Sequence, residues 1–144
     1  MSEPNDAPIF PKSPLEEVGG IPYFVRMCDK IRLHASDDLH ADYQSNLGGG
    51  FDKWTCEYLR VSYNEVVEKV QSGLDDAAVL EWAVSLGGER TAAERDWWLS
   101  YMRNRCHRDD LSELLEKRKI SCGLGDRGDI VSMFGMIDAD EERN

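Results

Sequence analysis

The sequence predicts an all-α protein: a single compact multi-helix domain over residues 19–144, preceded by an extended, proline-rich arm over residues 1–18. Three observations predict it. Apolar residues recur at spacings of three and four in segment after segment. Two capping-box signatures, Ser62-Tyr-Asn-Glu65 and Thr91-Ala-Ala-Glu94, open two of those segments. No apolar–polar alternation runs long enough for a convincing strand. With 144 residues, 41% of them hydrophobic and four of them tryptophan, the chain can bury roughly two-thirds of its unfolded surface.

The arm holds Pro4, Pro8, Pro11 and Pro14 and has no helical period, so it is expected to run extended, pinned by Ile9, Phe10 and Leu15. Gly19-Gly20 then allows a tight turn. The first helix is expected from about Ile21 to Ala35, with Pro22 in its first turn, where a missing N–H is tolerated. Its stripe is Ile21, Phe24, Cys28, Ile31 and Ala35, and Arg26, Asp29 and Lys30 fall on the other side. Residues 37–43 read as an acidic irregular loop, and Gly48-Gly49-Gly50 as a flexible one.

Asp52 reads as the N-cap of a short helix carrying Trp54, Cys56, Tyr58 and Leu59. The box at Ser62 opens a helix with Val66, Val67 and Val70 that Gly73 closes. Asp75 caps the next, with Ala78, Val79, Trp82 and Leu86 inward and Gly87-Gly88 at its end. The box at Thr91 opens a long helix containing Trp97, Trp98, Tyr101, Met102 and Cys106. Asp110-Leu-Ser-Glu113 can cap a further helix, whose closing Lys117-Arg118-Lys119 complements the helix dipole. Ile130, Val131, Phe134 and Ile137 mark a last helix before the acidic C-terminus.

Net charge is −11, from 28 acidic and 17 basic residues. It is uneven: residues 1–88 carry −8, residues 89–119 carry +1, and residues 120–144 carry −4. Such a balance opposes phosphate neutralisation and anionic membranes, so neither nucleic acid nor membrane is an expected partner. Cys28, Cys56, Cys106 and Cys122 form no C-x-x-C pair. No charged-then-apolar leader is seen and no apolar run nears ~18 residues, which points to the cytoplasm.

Four features bear on chemistry. Gly123-Leu-Gly125-Asp-Arg-Gly128 spells a dinucleotide fingerprint, but Lys117–Ser121 is too charged for the strand before it, and the 16 residues after it leave no room for a βαβ unit. It reads as a helix-connecting turn, and no cofactor is expected. His34, His40 and Asp42 are ligand types for a divalent metal, although they lack the H-x-x-x-H register of two ligands on one helical face. Arg26 and Lys30 stand one turn apart with Asp29 between them. That group, with Arg32, His34, Asp42 and Tyr43, could line a pocket for a small anionic ligand, with Arg26 as its bidentate group. Trp97 and Trp98 point ~100° apart on a helix, so one ring can pack inward while the other faces a groove, although burial of both is the plainer reading. No G-x-S-x-G elbow or phosphate-binding loop occurs, and Cys106 and His107 would point apart as helical neighbours.

Pro11-Lys-Ser-Pro14, Leu15 with Gly19-Gly20, Asp29-Lys30-Ile31-Arg32, Asp42-Tyr43, Phe51-Asp52 and Ile137-Asp138-Ala-Asp140-Glu together resemble an uncharacterised bacterial domain-of-unknown-function family of small helical proteins. The resemblance implies a cytoplasmic bacterial protein with one helical domain, and it implies no reaction. Where that family tends to read Asp-Glu-Gly-Arg at its last motif, Glu142 replaces the glycine here, which weakens the case for a tight C-terminal turn.

The expected function is therefore a non-catalytic helical binding or adaptor domain with an acidic surface, able to self-associate and docking through an exposed Trp or Tyr. The alternatives are a small enzyme or anionic-ligand-binding protein with its pocket beside the 21–35 helix, in which Asp29 or His34 acts as acid or base, and a divalent-metal-binding protein.

Overall fold

Local signals place most of the elements. The computed structural model describes residues 9–143; the arm's first eight residues and Asn144 lie outside them. Among the described residues the protein is all-α, with eight helices and one two-stranded hairpin. The chain divides into two compact units, the first ending at Arg90 and the second beginning at Thr91.

In the first unit, β1 (Glu17–Val18) and β2 (Ile21–Pro22) pair antiparallel, Val18 opposite Ile21. Gly19 and Gly20 close the hairpin at φ +58° and +77°. Positive φ at both loop positions marks the type I′ turn, a backbone that glycine adopts without steric penalty. Pro22 is thus a strand residue, and helix α1 starts later than expected, at Phe24–Ala35. Its N-cap, Tyr23, sits at φ +72°, a conformation that strains a residue with a Cβ. Most of the expected stripe is buried: Phe24 and Cys28 are wholly inaccessible, as is Met27 beside them, and Ile31 nearly so, whereas Ile21 is buried in β2 and Ala35, at the helix end, is exposed.

Helix α2 (Ala41–Gln44) occupies the stretch read as irregular, its N-terminus capped by the His40 side chain. Helix α3 (Phe51–Leu59) begins after Gly50, not after an Asp52 cap, and Arg60 ends it at φ +62°. Helix α4 (Tyr63–Gln71) carries the expected capping box, and Asp75 caps helix α5 (Asp76–Gly87). Helix α1 packs on α3, α4 and α5, and Cys56, Leu59, Val66, Val70, Val79, Leu80 and Ala83 join the core. Leu86, expected inward, is exposed.

In the second unit, the Thr91 box opens helix α6 (Ala92–Asn104). The helix stops before Cys106, which lies outside it at φ +79°. The physical reason is a competing local network: the Asp109 carboxylate accepts the N–H groups of Cys106 and Leu111, each at 2.8 Å, and the Arg105 guanidinium at 2.9 Å. Desolvation opposes ionisation of that carboxylate, but these bonds outweigh it and hold its pKa below the ordinary value. With Asp109 so engaged, helix α7 (Ser112–Ser121) starts from Leu111 with no side-chain cap, and the box expected at Asp110 does not form. Lys119 does not merely face the helix dipole; it is buried and donates to the Ile130 carbonyl at 3.2 Å. Helix α8 (Met133–Asp140), capped by Ser132, packs against α6 and α7. Trp98, Met102, Leu115, Ile130, Phe134 and Met136 are among the buried side chains of this unit.

The tight C-terminal turn forms despite the missing glycine. Glu142 takes φ +66°, and the N–H of Arg143 reaches the Asp138 carbonyl at 2.8 Å while that of Glu142 reaches Ala139 at 3.1 Å. This is the double hydrogen bond of a left-handed helix end. Glu142→Gly is therefore expected to stabilise the protein by ~0.5–1 kcal/mol, because glycine adopts this backbone without strain. Chemical denaturation would read the gain, and an unchanged or lowered stability would show that the turn is not strained at Glu142.

Candidate functional site

Among the described residues, a buried polar cluster around α1 and an exposed face of α6 bear most on function. The first collects several of the residues singled out from the sequence. Lys30 and Arg26, expected on the polar side of α1, are only 4% and 3% exposed. Lys30 Nζ lies 2.8 Å from Asp52 Oδ1 and donates to the Tyr23 hydroxyl at 2.9 Å. The Tyr23 hydroxyl in turn donates to Asp52 Oδ1 at 2.8 Å. The second oxygen of Asp52 accepts the Gly48 N–H at 3.0 Å. Burial first, then the neighbouring Asp52 carboxylate, push the Tyr23 phenol well above its ordinary pKa, against the opposing pull of Arg26. Tyr23 therefore stays a neutral hydrogen-bond donor and offers no phenolate.

Arg26 and Asp29 grip the arm. Arg26 Nη1 donates to the Lys12 carbonyl at 3.1 Å, and Asp29 Oδ2 accepts the Lys12 N–H at 3.0 Å. One peptide segment is thus held on both sides, with Pro11 and Pro14 buried beside it. Ile9 and Leu15, expected to pin the arm, are each half exposed. The Arg26 guanidinium also lies over the Tyr43 ring, 5.7 Å from its centre. So the arginine expected to anchor an anion binds the chain's own carbonyl and an aromatic face.

The remaining candidates lie around this cluster. Arg32 pairs with Asp76 at 2.6 Å. His34 is exposed in the last turn of α1. The His40 side chain accepts the Asp42 N–H at 3.1 Å and meets the Tyr43 ring edge-on. Among the described residues, no group of three or more His, Cys, Asp or Glu side chains is arranged to hold a metal ion. Nor are the thiols poised for nucleophilic work: burial pushes Cys56 up to about 12 and Cys106 up to about 11. Chemically, the cluster ties α1, α3, the Gly48 loop and the arm together, and a substrate would have to open the fold to reach Asp52, which is wholly inaccessible. Sequence reasoning missed Tyr23 and Asp52. The one available signal was Asp52 just behind three glycines, and it reads equally well as a helix cap.

The second place is on α6. The wheel puts Ala93, Trp97, Ser100, Tyr101 and Asn104 on one face, within ~100° of arc. All five are exposed, and Trp97 is the extreme, 72% exposed beside Tyr101 at 42%. Its neighbour Trp98, 9% exposed, is the ring that packs inward. Asn104 donates to the Ser100 carbonyl at 2.9 Å, one turn back along the same face. The five side chains of this face are uncharged, in a protein in which 31% of residues are charged, and the Arg105 guanidinium at the end of the helix lies over the Tyr101 ring, 5.1 Å from its centre. Elsewhere in this unit, a solvent-open depression of about 340 Å³ lies along Ser112, Glu113, Glu116 and Lys117 of α7. It is lined by the aliphatic stems of these side chains, which belong to one helix face.

A family described as Domain of unknown function (DUF5069) matches residues 9–143, in agreement with the uncharacterised domain family that the sequence motifs led us to expect. A search of the curated proteins finds no match. No helix among the described residues is long and apolar enough to cross a membrane.

Proposed function

This chain belongs to the DUF5069 family, and for it we propose a non-catalytic role as a helical interaction module that docks protein through the uncharged face of α6. One observation carries the reading: a tryptophan 72% exposed, with a tyrosine one turn on, on a helix face whose own side chains are uncharged. Leaving a ring of that size in water forgoes ~1.5–3 kcal/mol or more of burial. Trp and Tyr are also the residues that dominate binding energy at the centres of interfaces, where charge is depleted. The buried cluster supports the same reading from the other side, since its titratable groups are spent on holding the fold. Three of the four cysteines are buried free thiols, which suits a reducing, cytoplasmic setting.

The test is site-specific photocrosslinking in the protein's own cells, with benzoylphenylalanine replacing Trp97 in one variant and Arg95 in another. Arg95 is also exposed but lies ~160° away around the helix. Polypeptide adducts at position 97 and not at 95 are expected. Equal labelling at both positions, or none at 97, would overturn the proposal.

A further inference from the structure

We infer that the partner seated on this face is a second copy of the chain, packed α6 against α6 in antiparallel fashion about a two-fold axis. The inference rests on the reading of the α6 face as a docking surface, and it adds the occupant.

The residues of α6 are self-complementary in one register. In an antiparallel helix pair, residue i of one copy faces residue j of the other, where i and j are symmetric about the crossing point. A crossing at Leu99 sets Trp97 of each copy against Tyr101 of the other. Asp96 and Arg103, both exposed, lie two turns apart on the same flank of α6, so they share one edge of the contact. Their midpoint falls within half a residue of Leu99. The crossing that stacks the aromatic rings therefore also brings each Asp96 beside the other copy's Arg103. A face chosen for a chemically different partner has no reason to place its aromatic pair and its opposite-charge pair about one centre.

Long-range charge agrees. Two chains of net charge −11 repel, yet residues 89–119, which contain α6, carry +1. Contact through α6 brings the least acidic segments of the two copies together. Ser100 and Asn104, small and already joined through the Asn104 side-chain amide donating to the Ser100 carbonyl, fill the space beside the rings without adding charge.

A 13-residue helix is ~20 Å long and offers less than a standard interface, so dissociation is expected between about 10 µM and about 1 mM. Sedimentation velocity across that range, with native mass spectrometry at the top of it, reads the association. The untouched chain is expected to dimerise. Trp97→Ser, a change at a largely exposed position, is expected to remain monomeric with its circular dichroism unaltered. Asp96→Arg or Arg103→Asp alone turns two attractive contacts into two repulsive ones and is expected to weaken the dimer about tenfold. The double reversal, D96R with R103D, is expected to restore it. A chain that stays monomeric to about 1 mM, a dimer indifferent to Trp97→Ser, or a double reversal that fails to restore association would each overturn the inference. A monomer that still gives adducts to other polypeptides at position 97 overturns only the second copy and leaves the interaction module standing. Absence of any adduct overturns both.

Discussion

Asp52→Ala lowers the stability of the protein by ~3–5 kcal/mol, the largest loss expected from any single side-chain truncation here. The magnitude comes from what is left behind. Lys30 is 4% exposed, and Asp52, the carboxylate 2.8 Å away, is its salt-bridge partner. Without that carboxylate a buried ammonium faces a phenol whose hydroxyl has also lost its acceptor, and the Gly48 N–H loses its own. For a unit of this size the melting temperature should fall by roughly 15–30 °C. Thermal unfolding followed by far-ultraviolet circular dichroism would show it. The double change Lys30→Met with Asp52→Leu separates the two contributions, since it removes both charges and keeps the volume. It is expected to cost clearly less than Asp52→Ala, because a buried pair contributes little net stability while a buried single charge costs much. A drop of only a few degrees in Asp52→Ala would mean that water or a neighbouring group reaches Lys30.

That cluster also shows where sequence reading stops. The helices were legible wherever the signal is local. Ser62 with Glu65, Thr91 with Glu94, and Asp75 each cap the helix that follows, because a cap needs only a side chain and an N–H three residues on. The apolar stripe of α1 was legible for the same reason. The other side of α1 was not. Arg26 and Lys30 sit where an amphipathic helix should meet water, and they are engaged instead by the arm at Lys12 and by Asp52 of α3, 14 and 22 positions away in sequence. No periodicity reports such partners. Asp109 outcompeting Asp110 is a smaller case, since two adjacent aspartates offer equal local signals and Arg105 donates to both, so that only the N–H groups of Cys106 and Leu111, taken by Asp109, separate them. The α6 face was half legible: Trp97-Trp98 dictates that one ring differs from the other in exposure, while the packing of α8 decides which.

Gly87→Ala is the second severe change, expected to cost ~2–4 kcal/mol although it adds one methyl group. Gly87 closes α5, and a Cβ built on it would lie inside the van der Waals radius of the Leu59 carbonyl oxygen, with Arg60 O at 3.2 Å. Those atoms are backbone at the C-terminal end of α3, where Arg60 is itself held left-handed and Val61 N–H bonds back to Cys56 O at 3.1 Å. They cannot rotate away as a side chain would, so α3 and α5 must separate. Gly128→Ala is the contrast. A Cβ there meets nothing within 4 Å, and the backbone is not left-handed, so stability should be unchanged or gain up to ~1 kcal/mol. If Gly87→Ala were as mild as Gly128→Ala, the close approach of α5 to the end of α3 would be wrong, and with it the packing of the first unit. Gly128 closes the G-x-G-x-x-G string of the sequence, in which the glycines ought to matter. Gly87 belongs to no motif. Glycine is required where another backbone comes within a methyl radius, and in this fold that place is the α3–α5 crossing.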